Sequence, residues 1–139
     1  MLVLLDSNIL WSALISPKGP PRRIYGAWLA GRFELLTCPQ QIAEIRSASR
    51  YPKFREILQP HRVGVMINNL YRATVWEEPL PQKHEAADPE DSYLLNLIEA
   101  AKPDYAVTGD KQSGILAVRK LGRTSIWTAR DFCEQILRI

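Results

Sequence analysis

The chain has 139 residues, 46% of them apolar and 24% charged, the ordinary composition of one globular domain. A chain near this size buries roughly 70% of the surface it exposes when unfolded, enough for a core without disulfide or metal staples. No apolar run approaches the roughly 20 residues that cross a bilayer, and Met1 to Asp6 lacks the basic start and cleavage site of a secretory leader. Cys38 and Cys133 stand far apart with no neighbours at metal-ligand spacing, and they read as buried thiols of a cytoplasmic protein. The balance of 18 Lys+Arg against 15 Asp+Glu gives +3, compatible with a polyanionic partner but far from a histone-like excess.

Leu2-Val3-Leu4-Leu5 predicts a strand buried on both faces, and Asp6-Ser7-Asn8 are residues that cap helices and make turns. Ile9, Leu10, Ala13 and Leu14 recur at helical spacing up to the loop Ser16-Pro17-Lys18-Gly19-Pro20-Pro21. Pro21 suits a first helical position, Ile24, Trp28 and Leu29 share one face, and Gly31 fits just past the end. Phe33 to Cys38 predicts a second strand, and Pro39 starts a helix with Ile42 and Ile45 on its apolar face and Glu44 within it. Two more helical stretches follow Tyr51-Pro52-Lys53, the second marked by Val63, Met66, Ile67 and Leu70, with a short strand at Thr74-Val75-Trp76 after them.

Glu77 to Pro89 is polar and punctuated by proline, hence a loop, and Asp91 begins a helix containing Leu94, Leu95, Leu97 and Ile98. Tyr105 to Thr108 predicts a strand that stops at Gly109-Asp110. Ile115, Leu116 and Val118 mark a helix that Gly122 ends, Ser125-Ile126-Trp127 a last strand, and Phe132, Ile136 and Leu137 the apolar side of a C-terminal helix. Strands alternating with helices predict a single α/β domain over residues 1–139, with a mainly parallel sheet covered on both faces.

In such sheets ligands bind beyond the carboxyl ends of the strands. Asp6 and Asp110 stand at that edge, and the helix opened by Asp91 should point its N-terminus there, where a carboxylate is favoured. Glu44 could join them. Taken singly, Asp6 and Asp110 also read as turn or cap residues, Asp91 as an N-cap and Glu44 as a solvated helix residue. Two acids at equivalent strand ends are what a purely structural account leaves as coincidence. Four carboxylates in one crevice would repel one another without a cation, and hard ions such as Mg²⁺ or Mn²⁺ prefer oxygen ligands. An ion held that way suits phosphodiester hydrolysis. There is no Gly-rich phosphate loop, Gly-x-Ser-x-Gly elbow or His-Glu-x-x-His motif. His61 and His84 stand isolated, and Trp11, Trp28, Trp76 and Trp127 fall on core patterns.

Asp6-Ser7-Asn8-Ile9-Leu10, the Ser12-Ala13-Leu14 and Ser16 to Pro21 segments, Gly31-Arg32-Phe33-Glu34-Leu35 and the helix with Glu44 follow one another in a characteristic order. So do Pro52-Lys53-Phe54, Asp88-Pro89-Glu90-Asp91, Asp104 to Lys111 and Ala129-Arg130-Asp131-Phe132. In this combination the chain resembles PIN-domain proteins over nearly its whole length, in particular the bacterial toxin-antitoxin type. The resemblance implies a three-layer α/β/α sandwich around a mainly parallel sheet of about five strands. It also implies a Mg²⁺- or Mn²⁺-dependent ribonuclease, often a toxin neutralised by a small antitoxin protein, and a homodimer. The helices around Ile24, Trp28, Ile45 and Leu58 would be the candidate apolar face for that dimer.

By the same resemblance, the family's acids fall on Asp6, Glu44, Asp91 and Asp110, and Ser7, Asn8 and Thr108 match positions that orient the carboxylates. Asp88 is the rival of Asp91, though the spacing to Leu95 and Leu97 favours Asp91. Many relatives carry a further acid where this chain has Lys111-Gln112-Ser113, which leaves a single-ion or weakly bound second-ion mechanism as the safer implication. Lys18, Arg22 and Arg23 flank the loop after the first helix and are either RNA-phosphate contacts or a solvated basic loop. Two other functions stay open. An aspartate-based phosphatase would carry Asp-x-Asp where this chain has Asn8 in the third place, and a non-catalytic PIN-like module binding RNA or protein would have little use for carboxylates that repel phosphates.

Overall fold

The computed structural model describes residues 1–48, 50–86, 89–109 and 114–139, and for residues 55, 89, 90 and 114 the backbone alone. In chain order the first half runs β1 (Leu2–Leu5), α1 (Ser7–Ile15), α2 (Pro20–Leu29), β2 (Glu34–Thr37), α3 (Pro39–Ala48), α4 (Pro52–Arg55) and α5 (Pro60–Tyr71). The second half runs β3 (Thr74–Val75), α6 (Pro89–Ala101), β4 (Tyr105–Thr108), a 3₁₀ segment (Gly114–Val118), β5 (Lys120–Leu121), β6 (Thr124–Thr128) and α7 (Ala129–Asp131). A π-helical segment, Phe132–Leu137, continues α7. The sheet is ordered β3-β2-β1-β4-β6-β5, parallel throughout except at the β5–β6 edge.

β1 lies between β2 and β4, which is why its apolar run is unbroken: Val3, Leu4 and Leu5 are all buried. The strand period of two then divides them. Val3 and Leu5 join Leu35 and Val107 in the core beneath α1, α2, α3 and α5, whereas Leu4 joins Leu36, Ala106 and Ile126 against α6. Helices therefore cover both faces, giving an α/β/α sandwich.

Several elements differ from the sequence expectations. The sheet has six strands rather than about five, because Lys120–Leu121 pairs with β6 instead of extending a helix. Arg119 at φ 61° breaks the 3₁₀ segment and Gly122 at φ 59° makes the hairpin turn, a conformation glycine adopts without strain. The helix expected to open at Asp91 opens at Pro89, where a proline's missing N–H is harmless, so Asp91 lies inside the first turn instead of capping it. Ile24, Ile45 and Leu58, expected on an exposed apolar face, lie in the core. The four tryptophans are half-buried rather than fully enclosed, Trp11 leaning on Phe54 at 5.5 Å between ring centres and Trp28 on Tyr25 at 5.7 Å. His84 is not isolated: its Nε2 lies 3.4 Å from Glu99 Oε2.

Both cysteines are buried free thiols. No helix among the described residues is long and apolar enough to cross a membrane.

Candidate functional site

The register of β1 on β4 aligns Leu5 with Val107, so the next residue on each strand, Asp6 and Thr108, emerges at the same carboxyl edge. Asp6 donates its N–H to Val107 O at 2.8 Å, prolonging the ladder by one bond. Its side chain is 5% exposed and is held from two sides. Asn8 N donates to Oδ1 at 3.0 Å, which caps α1, and Thr108 Oγ1 donates to Oδ2 at 2.8 Å.

An ionised carboxylate has about four lone-pair positions, so two such bonds leave acceptor capacity over. Among the described residues no Lys, Arg or His side chain pairs with Asp6. A buried carboxylate with spare acceptor capacity and no described counter-charge suits a hard divalent cation. The described residues alone, however, contain no group of three His, Cys, Asp or Glu side chains that could hold one. Asp110 and Asp88 lie outside the described residues, as do Lys111, Gln112 and Ser113.

Ser7, fully buried and next to Asp6 in the chain, binds a second carboxylate. Its Oγ donates to Glu44 Oε2 at 3.0 Å, and Tyr93 OH donates to the same oxygen at 3.2 Å. The hydroxyls of Ser7 and Tyr93 stand 3.3 Å apart. Behind them Gln41, one helical turn before Glu44, is fully buried. Its Nε2 donates to Leu5 O at 2.6 Å and Ser7 Oγ at 3.4 Å, while Oε1 accepts from Thr37 Oγ1 at 2.7 Å. A chain of polar bonds thus runs from the end of β2 through α3 and α1 to α6.

Burial pushes the thiol of Cys38, which precedes α3, above its ordinary pKa; the backbone N–H groups of Gln41 and Gln40 oppose this and the Glu44 charge adds to it. Replacing Gln41 with leucine leaves the Thr37 hydroxyl without its partner and removes a donor from Leu5 O. The expected loss is about 2–6 kcal/mol, from about 1–3 for each of the two deserted buried groups, and it is checked by urea unfolding. A loss under about 0.5 kcal/mol would mean that water replaces the amide.

Of the residues nominated from sequence, Asp6, Ser7, Thr108 and Glu44 thus meet at one edge. Asn8 contributes its main-chain N–H. Asp91, half-buried, sits two residues before Tyr93 in the first turn of α6. Lys18 and Arg23 are exposed, and Arg22 Nη1 donates to Ala13 O at 3.2 Å, tying α2 to α1. Spacing does not single out Gln41, Thr37 or Tyr93. The signal that could have found Gln41 is its place beside Ile42 and Ile45, a polar side chain on the apolar face of α3.

A comparison with curated proteins finds an uncharacterized protein of Methanocaldococcus jannaschii, 27% identical over 110 residues, which cover 78% of this chain and 70% of the relative. No solved structure matches the chain. The family model for the PIN domain matches residues 2–112, a span that runs from β1 past the end of β4 and takes in every residue of the bonded network just described. On that match, the chain belongs to the PIN domain family, a family of nuclease-type fold.

Proposed function

We propose that this chain is a divalent-metal-dependent endoribonuclease, the toxin half of a pair silenced by a small antitoxin protein, and that it acts as a homodimer in the cytoplasm. The observation that carries the reading is Asp6: a buried carboxylate at the carboxyl edge of the central strands of a PIN domain, fixed at both oxygens and facing no described cation. A bound Mg²⁺ or Mn²⁺ supplies a Lewis acid for the phosphodiester and lowers the pKa of a nucleophilic water. Asp6, Glu44, Asp91 and Asp110 are the residues that would hold it, directly or through water.

The remaining roles belong to the chain itself. Thr108 and the Asn8 N–H keep the Asp6 carboxylate in one orientation, and Ser7 and Tyr93 do the same for Glu44. Lys18 and Arg23, both exposed, and Arg22 beside them would meet RNA phosphates.

The test is cleavage of a mixed structured RNA with added Mn²⁺ by the wild type and by Asp91→Asn. Cutting that needs the metal and falls at least about tenfold in the variant is the expected result, since even groups that only support a metal ligand change activity 10–100-fold. Undiminished cutting by the variant would move the role to Asp88. Absence of cutting by either protein would favour a binding module.

A further inference from the structure

A cavity of about 370 Å³ opens beside Asp6, walled by Asn8, Ile9 and Ser12 of α1, Pro20 and Pro21 of α2, Gly109 after β4, and Ala129 and Arg130 of α7. Its position relative to the acid is fixed by bonds. Asn8 donates its N–H to one Asp6 oxygen, and Gly109 follows Thr108, which donates to the other. Arg130 is placed by the sheet: Thr128 pairs with Thr108 in register, so the residue two beyond it stands over the end of β4. The far wall is pinned as well, since Pro20 O accepts from Cys133 Sγ at 3.6 Å and Ala13 O accepts from Arg22 Nη1 at 3.2 Å.

The lining combines apolar surface from Ile9, the prolines and Ala129 with three polar groups, Asn8, Ser12 and Arg130. That mixture, with orienting groups few and walls apolar, suits a flat aromatic ring. The volume lies at the low end of the about 300–1,000 Å³ typical of ligand pockets, enough for one nucleoside but not for a run of chain. Arg130 is exposed, and no Asp or Glu among the described residues pairs with it. Arg22, by contrast, is partly committed to Ala13 O.

We propose that this cavity receives the nucleoside next to the phosphate presented to Asp6, with Arg130 binding the following phosphate and Ser12 contacting the base. The assignment rests on the ribonuclease reading. It gives a substrate-gripping role to Arg130, to which the motif pattern assigns none, and it gives the chain a base-reading position on the α1–α7 side of the acids. Arg130 acts through charge and reach, so its removal weakens binding of every sequence alike, whereas Ser12 acts through shape and so alters preference among bases.

The experiment follows a short fluorescein-labelled single-stranded RNA by anisotropy in EDTA, where metal-dependent cutting cannot proceed, over a series of KCl concentrations. The proteins are the wild type, Arg130→Gln and, as an exposed cation elsewhere, Arg62→Gln. The expected outcome is a Kd raised about tenfold in Arg130→Gln and a salt slope smaller by about 0.7, the value of one lost phosphate contact on a single strand. Arg62→Gln should match the wild type. In Mn²⁺, Ser12→Val should shift the base found at the cut sites, and an unchanged base preference would overturn the assignment of Ser12 to the base.

Equal weakening by both arginine variants would reduce Arg130 to general charge and overturn the proposal. So would an unchanged Kd and slope in Arg130→Gln alongside wild-type cutting, and that pair of results would leave the ribonuclease reading standing. A wild type that neither binds nor cuts RNA would overturn both together.

Discussion

On the proposed ribonuclease function, Asp6→Asn should lower Mn²⁺-dependent RNA cleavage by at least about a hundredfold while the chain stays folded. The substitution keeps the shape and removes the charge. Outer-shell supports of metal sites are worth 10–100-fold in activity, so a direct ligand lost should lie at or beyond the upper figure, equivalent to about 2.7 kcal/mol of barrier. Stability should move the other way or not at all. Asp6 is almost wholly buried with no described counter-charge, and relieving a buried anion is neutral or stabilising. The amide can still accept from Asn8 N, and the Thr108 hydroxyl can turn to accept from the new Nδ2. Single-turnover cleavage and a thermal melt on the same preparation separate the two effects. Cleavage within threefold of the wild type would remove Asp6 from the chemistry.

The second large effect concerns folding. Phe132 is 0% exposed and stands at the start of the π-helical segment, edge-on to Tyr105 at 5.6 Å and to Phe33 at 6.2 Å between ring centres. It therefore joins the C-terminal segment to β4 and to the residue before β2. Phe132→Ala removes the ring and leaves a cavity that rigid strands cannot close, for an expected loss of about 3–5 kcal/mol. In a domain of this size that lowers Tm by about 10–20 °C. Calorimetry checks the figure, and a shift under about 4 °C would mean that the C-terminal segment repacks freely. Because Phe132 packs on the rings of Tyr105 and Phe33, cleavage well below the lowered Tm should be retained.

What the sequence makes legible follows from how locally each feature is determined. Leu2 to Leu5 announces a central strand because four consecutive apolar residues need cover on both faces, and Asp6 marks its end because a carboxylate there can cap α1. Pro39 and the spacing of Ile42 and Ile45 likewise announce α3. The features that escape are set by distant partners. Lys120–Leu121 is a strand only because β6 lies alongside, and two residues carry no period. The burial of Ile24, Ile45 and Leu58 depends on which helices pack together, which an apolar face cannot specify. At the site, four acids could be nominated from strand ends and family motifs, but the Tyr93 hydroxyl that donates to Glu44, and Gln41, which donates to Ser7 behind it, come from segments whose meeting is tertiary.

The placement of β1 between β2 and β4 has a consequence for how the molecule is made. β1 is synthesised before both of its partners and can pair with β2 soon after, but its other edge waits for β4, about a hundred residues later, at the same spacing that separates Thr108 from Asp6. Until then an apolar strand has one open edge, the arrangement that slows folding and invites association with other chains. The Asp6 carboxylate meanwhile has only its cap on α1 to hold it. Any nuclease activity built on that carboxylate is thereby withheld from the nascent chain until its fourth strand has docked, so synthesis itself sets a delay between translation and the first competent molecule.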